Sequence, residues 1–346
     1  MPTIYEVAKH AGVSTATVSR VMGGLPSSVS PDTRRRVLAT IEELGYTPNA
    51  AAQTLRTHSS RTILVTVPDL ANPFFAHILQ GIEDAAQRDG YAVLIGDTQH
   101  EPAREERYAR MLRQKEADGL IFLGHRLPHE AHGLMHHASR VPIVNGCEFS
   151  DDLGVPSVHI DNAKAAFEVI DHLLSLGHQR IGIVTGPSGS PLSRDRLRGA
   201  FARAQQAGVH RDLVVINGDF TIESGARAAD RLLDQRTPPT AIFCFNDEMA
   251  IGLVETAHRR GVRVPDDLSV AGFDDIRFAR FTRPPLTTVA QPMREIGRGC
   301  VRLLLQILRG EAPESMSITL PHKLTIRAST ARPRASGRWL GMPAVG

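Results

Sequence analysis

Three short segments at the start of the chain carry apolar residues at helical spacing. The first predicted helix has its apolar face at Ile4, Val7, Ala8 and Ala11. Gly12 interrupts this pattern, and Ser14 is suited to cap a second helix whose apolar face includes Val18 and Val21. Two helices joined by a glycine-containing turn predict a helix-turn-helix, whose second helix enters the major groove of DNA. The alternative is an ordinary helical hairpin.

A third helix is predicted from the N-cap Ser30 through Pro31 to about Leu44, where Gly45 ends it. Residues 1–48 are therefore the predicted helix-turn-helix DNA-binding domain. Residues 49–61 follow as a hinge helix and linker, since an alanine-rich stretch at 50–56 is too short to be a stable helix alone in water.

From Thr62 onward, short β-branched strands alternate with amphipathic helices. Strands are predicted at 63–68, 91–96, 119–123, 141–144, 180–184, 213–216, 241–244, 268–273 and 318–326. Helices are predicted at 73–88, 102–116, 162–176, 194–207, 224–234, 247–260 and 294–309. This alternation predicts parallel sheets built from two series of βαβ units, hence an α/β body of two doubly wound lobes. Ligands in such folds bind at the carboxyl ends of the strands.

Charge is unevenly distributed along the 346 residues. Residues 1–61 hold 7 Lys and Arg against 4 Asp and Glu, whereas the remainder holds 33 of each, so the net charge of +3 belongs to the N-terminal segment. A basic head on a neutral body suits a head that meets phosphates. The chain opens with polar residues and has no apolar run long enough to span a bilayer, which predicts a cytoplasmic protein without membrane contact.

No catalytic or cofactor motif stands out. We find no phosphate-binding glycine loop, nucleophile elbow or zinc-ligand spacing, so neither an enzyme nor a bound cofactor is expected. Cys147, Cys244 and Cys300 are interpreted as reduced core thiols. The histidines at 129, 132, 136 and 137 are interpreted as a solvated segment without a metal.

Several motifs resemble the lactose/galactose repressor family of bacterial transcription regulators. They are VSTATVSRV in the helix-turn-helix, GYTPNAAAQTL, NDEMAIG and GFDD. Longer stretches, such as RTILVTVPDLANPFF and FTRPPLTTVAQP, resemble a branch that regulates nucleoside uptake and breakdown. The resemblance implies a body like periplasmic sugar-binding proteins at 62–330. Lobe 1 would comprise about 62–160 and 291–320, and lobe 2 about 161–290 and 321–330. Residues 331–346 are a predicted disordered tail, rich in Arg, Pro and Gly.

The resemblance also assigns the DNA contacts. It puts Thr15 and Ala16 at the base-reading positions, with Ser19 and Arg20 on the same exposed side, and Arg20 can bond guanine bidentately. Leu55 would wedge into the minor groove, unless it packs on the head instead. The remaining residues of the predicted DNA-binding set are Thr3, Thr17, Asn49 and Ala52.

A small effector is expected between the lobes. Phe74 or Phe75 from one lobe and Phe220 from the other can sandwich a planar base, which favours a nucleoside such as cytidine or adenosine. Core packing is the alternative for Phe74 or Phe75. By resemblance, the polar effector contacts are Arg196, Asn246, Asp274 and Gln291, with Asp97 and Glu148 as weaker candidates.

The DNA-binding logic predicts a homodimer on a palindromic operator. The resemblance puts the dimer surface on the helix at 75–88 and its neighbours, and the tail lacks the leucine repeat of tetrameric members. A sugar- or purine-base-responsive regulator of the same family is the alternative, and a transport-linked solute-binding protein is a more distant one.

Overall fold

The chain forms two compact units, residues 1–60 and residues 61–346. The computed structural model describes residues 2–23, 29–47, 59–127, 141–149 and 153–334. Some of the sequence predictions concern residues outside these ranges. They are the hinge residues Asn49, Ala52 and Leu55, the histidines His129, His132, His136 and His137, and the end of the tail at 335–346.

The N-terminal unit is all helical in its described residues. Its helices are α1 (Ile4–His10), α2 (Thr15–Met22) and α3 (Pro31–Leu44). Gly12 adopts a positive φ of 63° in the turn between α1 and α2, and the Ser14 side chain accepts a hydrogen bond from the backbone of Thr17. Val7, Val18 and Val37 bring one residue from each helix into a small shared core. The prediction of a helix-turn-helix is confirmed.

The C-terminal unit alternates strands and helices. Its strands are β1 (Thr62–Val67), β2 (Ala92–Asp97), β3 (Gly119–Phe122), β4 (Ile143–Gly146), β5 (Ser157–Ile160), β6 (Ile181–Thr185), β7 (Val214–Asn217), β8 (Ala241–Cys244), β9 (Ser269–Ala271), β10 (Thr288–Ala290), β11 (Ser317–Leu320) and β12 (Lys323–Thr325). Its helices are α4 (Pro73–Arg88), α5 (Pro102–Arg113), α6 (Asn162–Ser175), α7 (Pro191–Gln206), α8 (Ile222–Leu233), α9 (Asp247–Arg259) and α10 (Met293–Leu308).

Two parallel sheets define two lobes. Lobe 1 has the strand order β11-β5-β4-β3-β1-β2, and lobe 2 has the order β7-β6-β8-β9. All pairings within these two sheets are parallel, so the predicted doubly wound lobes are confirmed. The chain leaves lobe 1 after β5, returns after β10 and leaves again at Pro321, so each lobe is discontinuous in sequence.

The predicted single strand at 318–326 is wrong. Strand β11 pairs in parallel with β5 in lobe 1, whereas β12 pairs antiparallel with β10 in a separate two-stranded ribbon. Pro321 lies between them and has no backbone N–H to continue a ladder. The chain can therefore change sheets at this point, and the ribbon forms part of the connection between the lobes.

The body extends beyond Thr330, which corrects the predicted start of the tail at residue 331. The Ala331 carbonyl accepts a hydrogen bond from the buried His178 ring, and its backbone N–H donates to Ser269. Arg334 forms an ion pair with Asp267, at 3.2 Å between Nη1 and Oδ1. Residues 331–334 are thus attached to lobe 2.

Helices α6 and α7 pack closely because one of them carries a glycine at the contact. A Cβ atom at Gly199 would lie 1.9 Å from the Ala163 carbonyl oxygen, well inside van der Waals contact. Backbone meets backbone here, so the contact has no flexible side chain that could move away. This spacing also sets the position of α7, which carries Arg196.

We predict that Gly199→Ala destabilises the protein by about 1–3 kcal/mol, because the added methyl group forces α6 and α7 apart. Chemical denaturation of the full chain measures the change. Gly189→Ala is the matched control, since a Cβ atom at Gly189 meets nothing within 4 Å. Equal stability of the two variants would contradict the close-packing interpretation.

Candidate functional site

The outward side of α2 presents short side chains. Ala16 and Arg20 are exposed, and the predicted partners Thr15, Thr17 and Ser19 are partly exposed. Arg20 forms no ion pair with another described residue. Such a surface can approach base edges closely and offers one guanidinium fork for guanine.

Two residues at the start of α1 bear on the predicted DNA-binding surface. Thr3 is exposed but caps the helix, because its hydroxyl accepts from the Glu6 backbone and donates to the Glu6 carboxylate. Its predicted DNA contact would therefore have to coexist with the capping role. Tyr5, which the sequence analysis did not single out, is 74% exposed and is a further polar aromatic on this unit. Tyr5 lies at the border of the apolar face formed by Ile4, Val7 and Ala8, and this position in the helical pattern was the available signal.

A cavity of about 440 Å³ lies between the two lobes of the body. Eight of its polar lining residues lie within three positions of the end of a strand, five in lobe 1 and three in lobe 2. They are Asp69, Gln99, His100, His125 and Glu148 in lobe 1, and Asp219, Asn246 and Asp274 in lobe 2. The carboxyl ends of both sheets thus face one shared space, as expected for open parallel sheets.

Aromatic rings border the cavity from both sides. Phe74 and Phe75 begin α4 in lobe 1 and pack edge to face, with ring centroids 5.2 Å apart. Both are buried and both line the cavity, so core packing and a cleft position are combined in each. Phe220 lines the cavity from lobe 2. Its ring packs against Gly186, where an added Cβ atom would lie 2.0 Å from the ring.

Arg196 is a buried cation at the base of the cavity, with only 2% of its surface exposed. Its Nε donates to Asn162 Oδ1 at 2.9 Å, and one Nη donates to the Phe245 carbonyl. The guanidinium stacks on the Phe273 ring, 3.6 Å from the centroid, and lies 3.9 Å from Asp274 Oδ1. Burial lowers the pKa of Arg196, and the nearby carboxyl groups oppose this shift. Two of its five N–H donors form hydrogen bonds with the protein, so Arg196 is fixed in place and keeps donors that can face a ligand.

Asp274 and Asp247 form a buried acidic pair beside Arg196. Burial raises the pKa of Asp274 to about 7, although Arg196 and a hydrogen bond from Gln291 Nε2, at 2.8 Å, lower it. Burial also raises the pKa of Asp247, whose oxygens accept from Thr288 Oγ1 and the Ile276 backbone. Asp274 lines the cavity, and its φ of 115° is strained for a non-glycine residue.

Glu148 faces the cavity from the end of β4. Its carboxyl is 6% exposed, and burial raises its pKa to about 8. Ser190 of lobe 2 donates to Glu148 Oε2 at 3.3 Å, so this hydrogen bond crosses the cleft. His125 Nδ1 lies 3.6 Å from the same oxygen. The weaker candidate of the sequence analysis is thus among the most buried carboxyl groups of the site.

Three predicted polar contacts have other partners. Gln291 does not line the cavity but holds Asp274 by its side-chain amide. Asp97 does not line it either, and its Oδ2 accepts from Gln99. Asn246 lines the cavity, yet its amide donates to the Phe220 carbonyl and accepts from Met249. The predictions missed several polar cavity residues, among them His100, His125, Ser190 and Asp219. All of these except Ser190 come two or three residues after a strand, and this position could have identified them from the sequence.

A helix-turn-helix unit joined to a two-lobed α/β receptor defines a class of ligand-controlled DNA-binding regulators. Residues 3–49 match the family described as bacterial regulatory proteins, lacI family. Residues 170–330 match the periplasmic binding protein-like domain. The chain belongs to the lacI family of bacterial regulatory proteins.

Relatives that match over nearly the whole chain support the same family assignment. The chain is 44% identical over 329 residues to the HTH-type transcriptional repressor CytR of Escherichia coli strain K12, covering 95% of this chain and 96% of the relative. It is 35% identical to the repressor PurR of Photobacterium profundum, over 95% of this chain and 98% of the relative. A solved Lac repressor dimer, bound to operator and the anti-inducer ONPF, superposes with a TM-score of 0.86 at 31% identity, covering 95% of this chain and 99% of that one.

These findings confirm the predicted family and fold, and the protein is a ligand-responsive transcriptional repressor rather than an enzyme. Among the described residues, no helix is both long and apolar enough to cross a membrane.

Proposed function

We propose that this repressor binds a palindromic operator as a homodimer and that a nucleoside in the cleft between the lobes controls its affinity for DNA. The observation that carries the effector proposal is the pair of aromatic walls, Phe74 with Phe75 on one lobe and Phe220 on the other. A planar base between such walls gains stacking and apolar burial, and the polar strand ends are within reach of ribose hydroxyls. The longer motifs that resemble the nucleoside-regulating branch of the family favour the same class of effector.

The charge of the cleft favours an uncharged ligand. Asp69 and Asp219 line it from opposite lobes, and the single buried arginine, among the residues described, is already surrounded by Asp274 and backbone oxygen. A phosphate group would add negative charge beside carboxylates without gaining a free cation. We therefore infer that the site takes a nucleoside and rejects the corresponding nucleotide.

We predict that isothermal titration of the full chain detects cytidine or adenosine, and that cytidine monophosphate binds at least about tenfold more weakly because of this repulsion. Ribose and hypoxanthine are the competing ligands of the alternative hypotheses. Binding of ribose alone would contradict the aromatic sandwich.

The variant Asp274→Ala tests whether Asp274 belongs to the effector site. It removes a cavity-lining acceptor, so we expect loss of the response to the nucleoside, while operator binding in a gel shift stays intact. A variant that still responds to the nucleoside would exclude Asp274 from the effector site.

Operator reading is assigned to α2. Ala16 can contact a thymine methyl group and Thr15 can hydrogen-bond a base, but both are short, so Arg20 carries most of the discrimination. Arg20 is exposed and has no ion pair among the residues described, so it is available for a base.

We predict that Arg20→Ala weakens specific operator binding by about 1–3 kcal/mol, the range of a bidentate guanine contact. Fluorescence anisotropy with operator and scrambled duplexes measures the change. Arg35→Ala is the control for lost positive charge on the same unit. If both substitutions reduce affinity equally on both duplexes, Arg20 contributes charge and not base recognition.

Dimer formation is assigned to exposed apolar residues of the body. Strand β2 lies at the edge of the lobe 1 sheet and exposes Leu94 and Ile95, next to the helix predicted as the dimer surface. An edge strand with exposed apolar side chains is normally covered by a partner. On lobe 2, Phe278 and Phe281 are exposed as well and offer a second apolar surface to another copy.

We predict that Ile95→Lys converts the dimer to a monomer, because a charge cannot be buried unpaired in an apolar interface. Light scattering after size exclusion gives the mass. Ile222→Lys is the control, since Ile222 and Ile95 are both 42% exposed. A dimeric Ile95→Lys protein would exclude this edge from the interface.

A further inference from the structure

Glu148 lines the cavity, and one of its two carboxyl oxygens is hydrogen-bonded to the opposite lobe. Its Oε2 accepts from Ser190 Oγ across the cleft and lies near His125 Nδ1. Its Oε1 has no hydrogen-bond partner among the described residues, while the side chain lines the cavity. Oε1 is therefore the atom available to a ligand between Phe74 and Phe220.

The groups around Glu148 do not supply a free cation that would keep it ionised. Burial and the charge of Arg126 lower the pKa of His125, so its ring is neutral at pH 7. Burial raises the pKa of Glu148 to about 8. The hydrogen bond from Ser190 and the charge of Arg196 both lower this pKa, but burial has the larger effect. The other titratable groups nearby are Cys147, whose pKa burial raises, and Asp274 beyond Arg196.

A neutral carboxyl has one donor and one acceptor. With Ser190 donating to Oε2, that oxygen is the acceptor, and we place the proton of the neutral acid on Oε1. A residue that usually accepts hydrogen bonds thus donates one into the cleft.

We propose that Glu148 binds the effector as a carboxylic acid that donates from Oε1 to an unprotonated ring nitrogen, and so selects cytosine and adenine over uracil and hypoxanthine. The inference rests on the proposed nucleoside function. Cytosine N3 and adenine N1 are acceptors, whereas uracil N3 and hypoxanthine N1 carry hydrogen and would face a second donor. An unpaired buried donor weakens binding by about tenfold or more.

The test is isothermal titration of the full chain with the matched pairs cytidine and uridine, and adenosine and inosine. We expect the amino-bearing nucleoside of each pair to bind at least about tenfold more tightly. The titration of Glu148 should leave cytidine affinity nearly constant below about pH 7 and make it fall above pH 8, approaching about tenfold per pH unit above about pH 9, with proton uptake on binding, because Glu148 must regain its proton.

Two variants isolate the carboxyl. Glu148→Gln keeps a donor that does not titrate, so it should retain the base preference and lose the decline above pH 8. Glu148→Leu has no donor and should lose the preference. Both variants retain Asp274, so a contribution from its titration near pH 7 is common to them and to wild type.

If wild type binds both members of each pair equally, or if Glu148→Gln keeps the wild-type decline, the Glu148 proposal is overturned while nucleoside binding stands. If wild type binds none of the four nucleosides, the proposed function fails and this inference with it. If Glu148→Leu does not fold, as judged by thermal unfolding, the pH profile of Glu148→Gln decides alone.

Discussion

The architecture of the body depends on where parallel strands can expose polar groups. Strands such as β3 and β8 are buried on both faces, so their side chains are apolar and only the strand ends are free to carry charge. Two sheets whose carboxyl ends face each other therefore enclose one polar space between apolar cores. The acidic residues of the cavity follow from this constraint, since Asp69, Glu148, Asp219 and Asp274 all lie within three positions of the end of a strand.

The same constraint explains the electrostatics of the site. Charges that gather at strand ends between two lobes are removed from water, and Arg196 can be buried only because Asn162, Phe245 and Asp274 compensate for lost hydration. Burial raises the pKa values of Asp274 and Glu148 toward neutrality. The single cation Arg196 lowers both pKa values, but burial has the larger effect. This electrostatic setting is the basis for the proposed uncharged effector and for the proposed coupling of its binding to protons.

Much of the fold could be predicted from local patterns. The bounds of α3, α4 and β8 agree with the sequence predictions, because caps, Pro31 and Pro73 at helix starts and β-branched runs are local signals. The strand at 318–326 could not be resolved correctly, since its two halves pair with different partners. Residues 331–334 resembled a tail, yet contacts from His178 and Asp267, distant in sequence, hold them to lobe 2.

The sequence by itself determined the helix-turn-helix, the alternation of strands and helices, the family, and the aromatic residues of the cleft, because each is written in short-range spacing or in motifs. Tertiary structure decided which polar residues meet. It turned Gln291 toward Asp274, committed Asn246 to Phe220, and joined Glu148 to Ser190 across the cleft. Hydrogen-bond partners and burial depend on the packing of segments that are distant in sequence. A local sequence pattern therefore does not show which polar groups lose contact with water when the lobes fold.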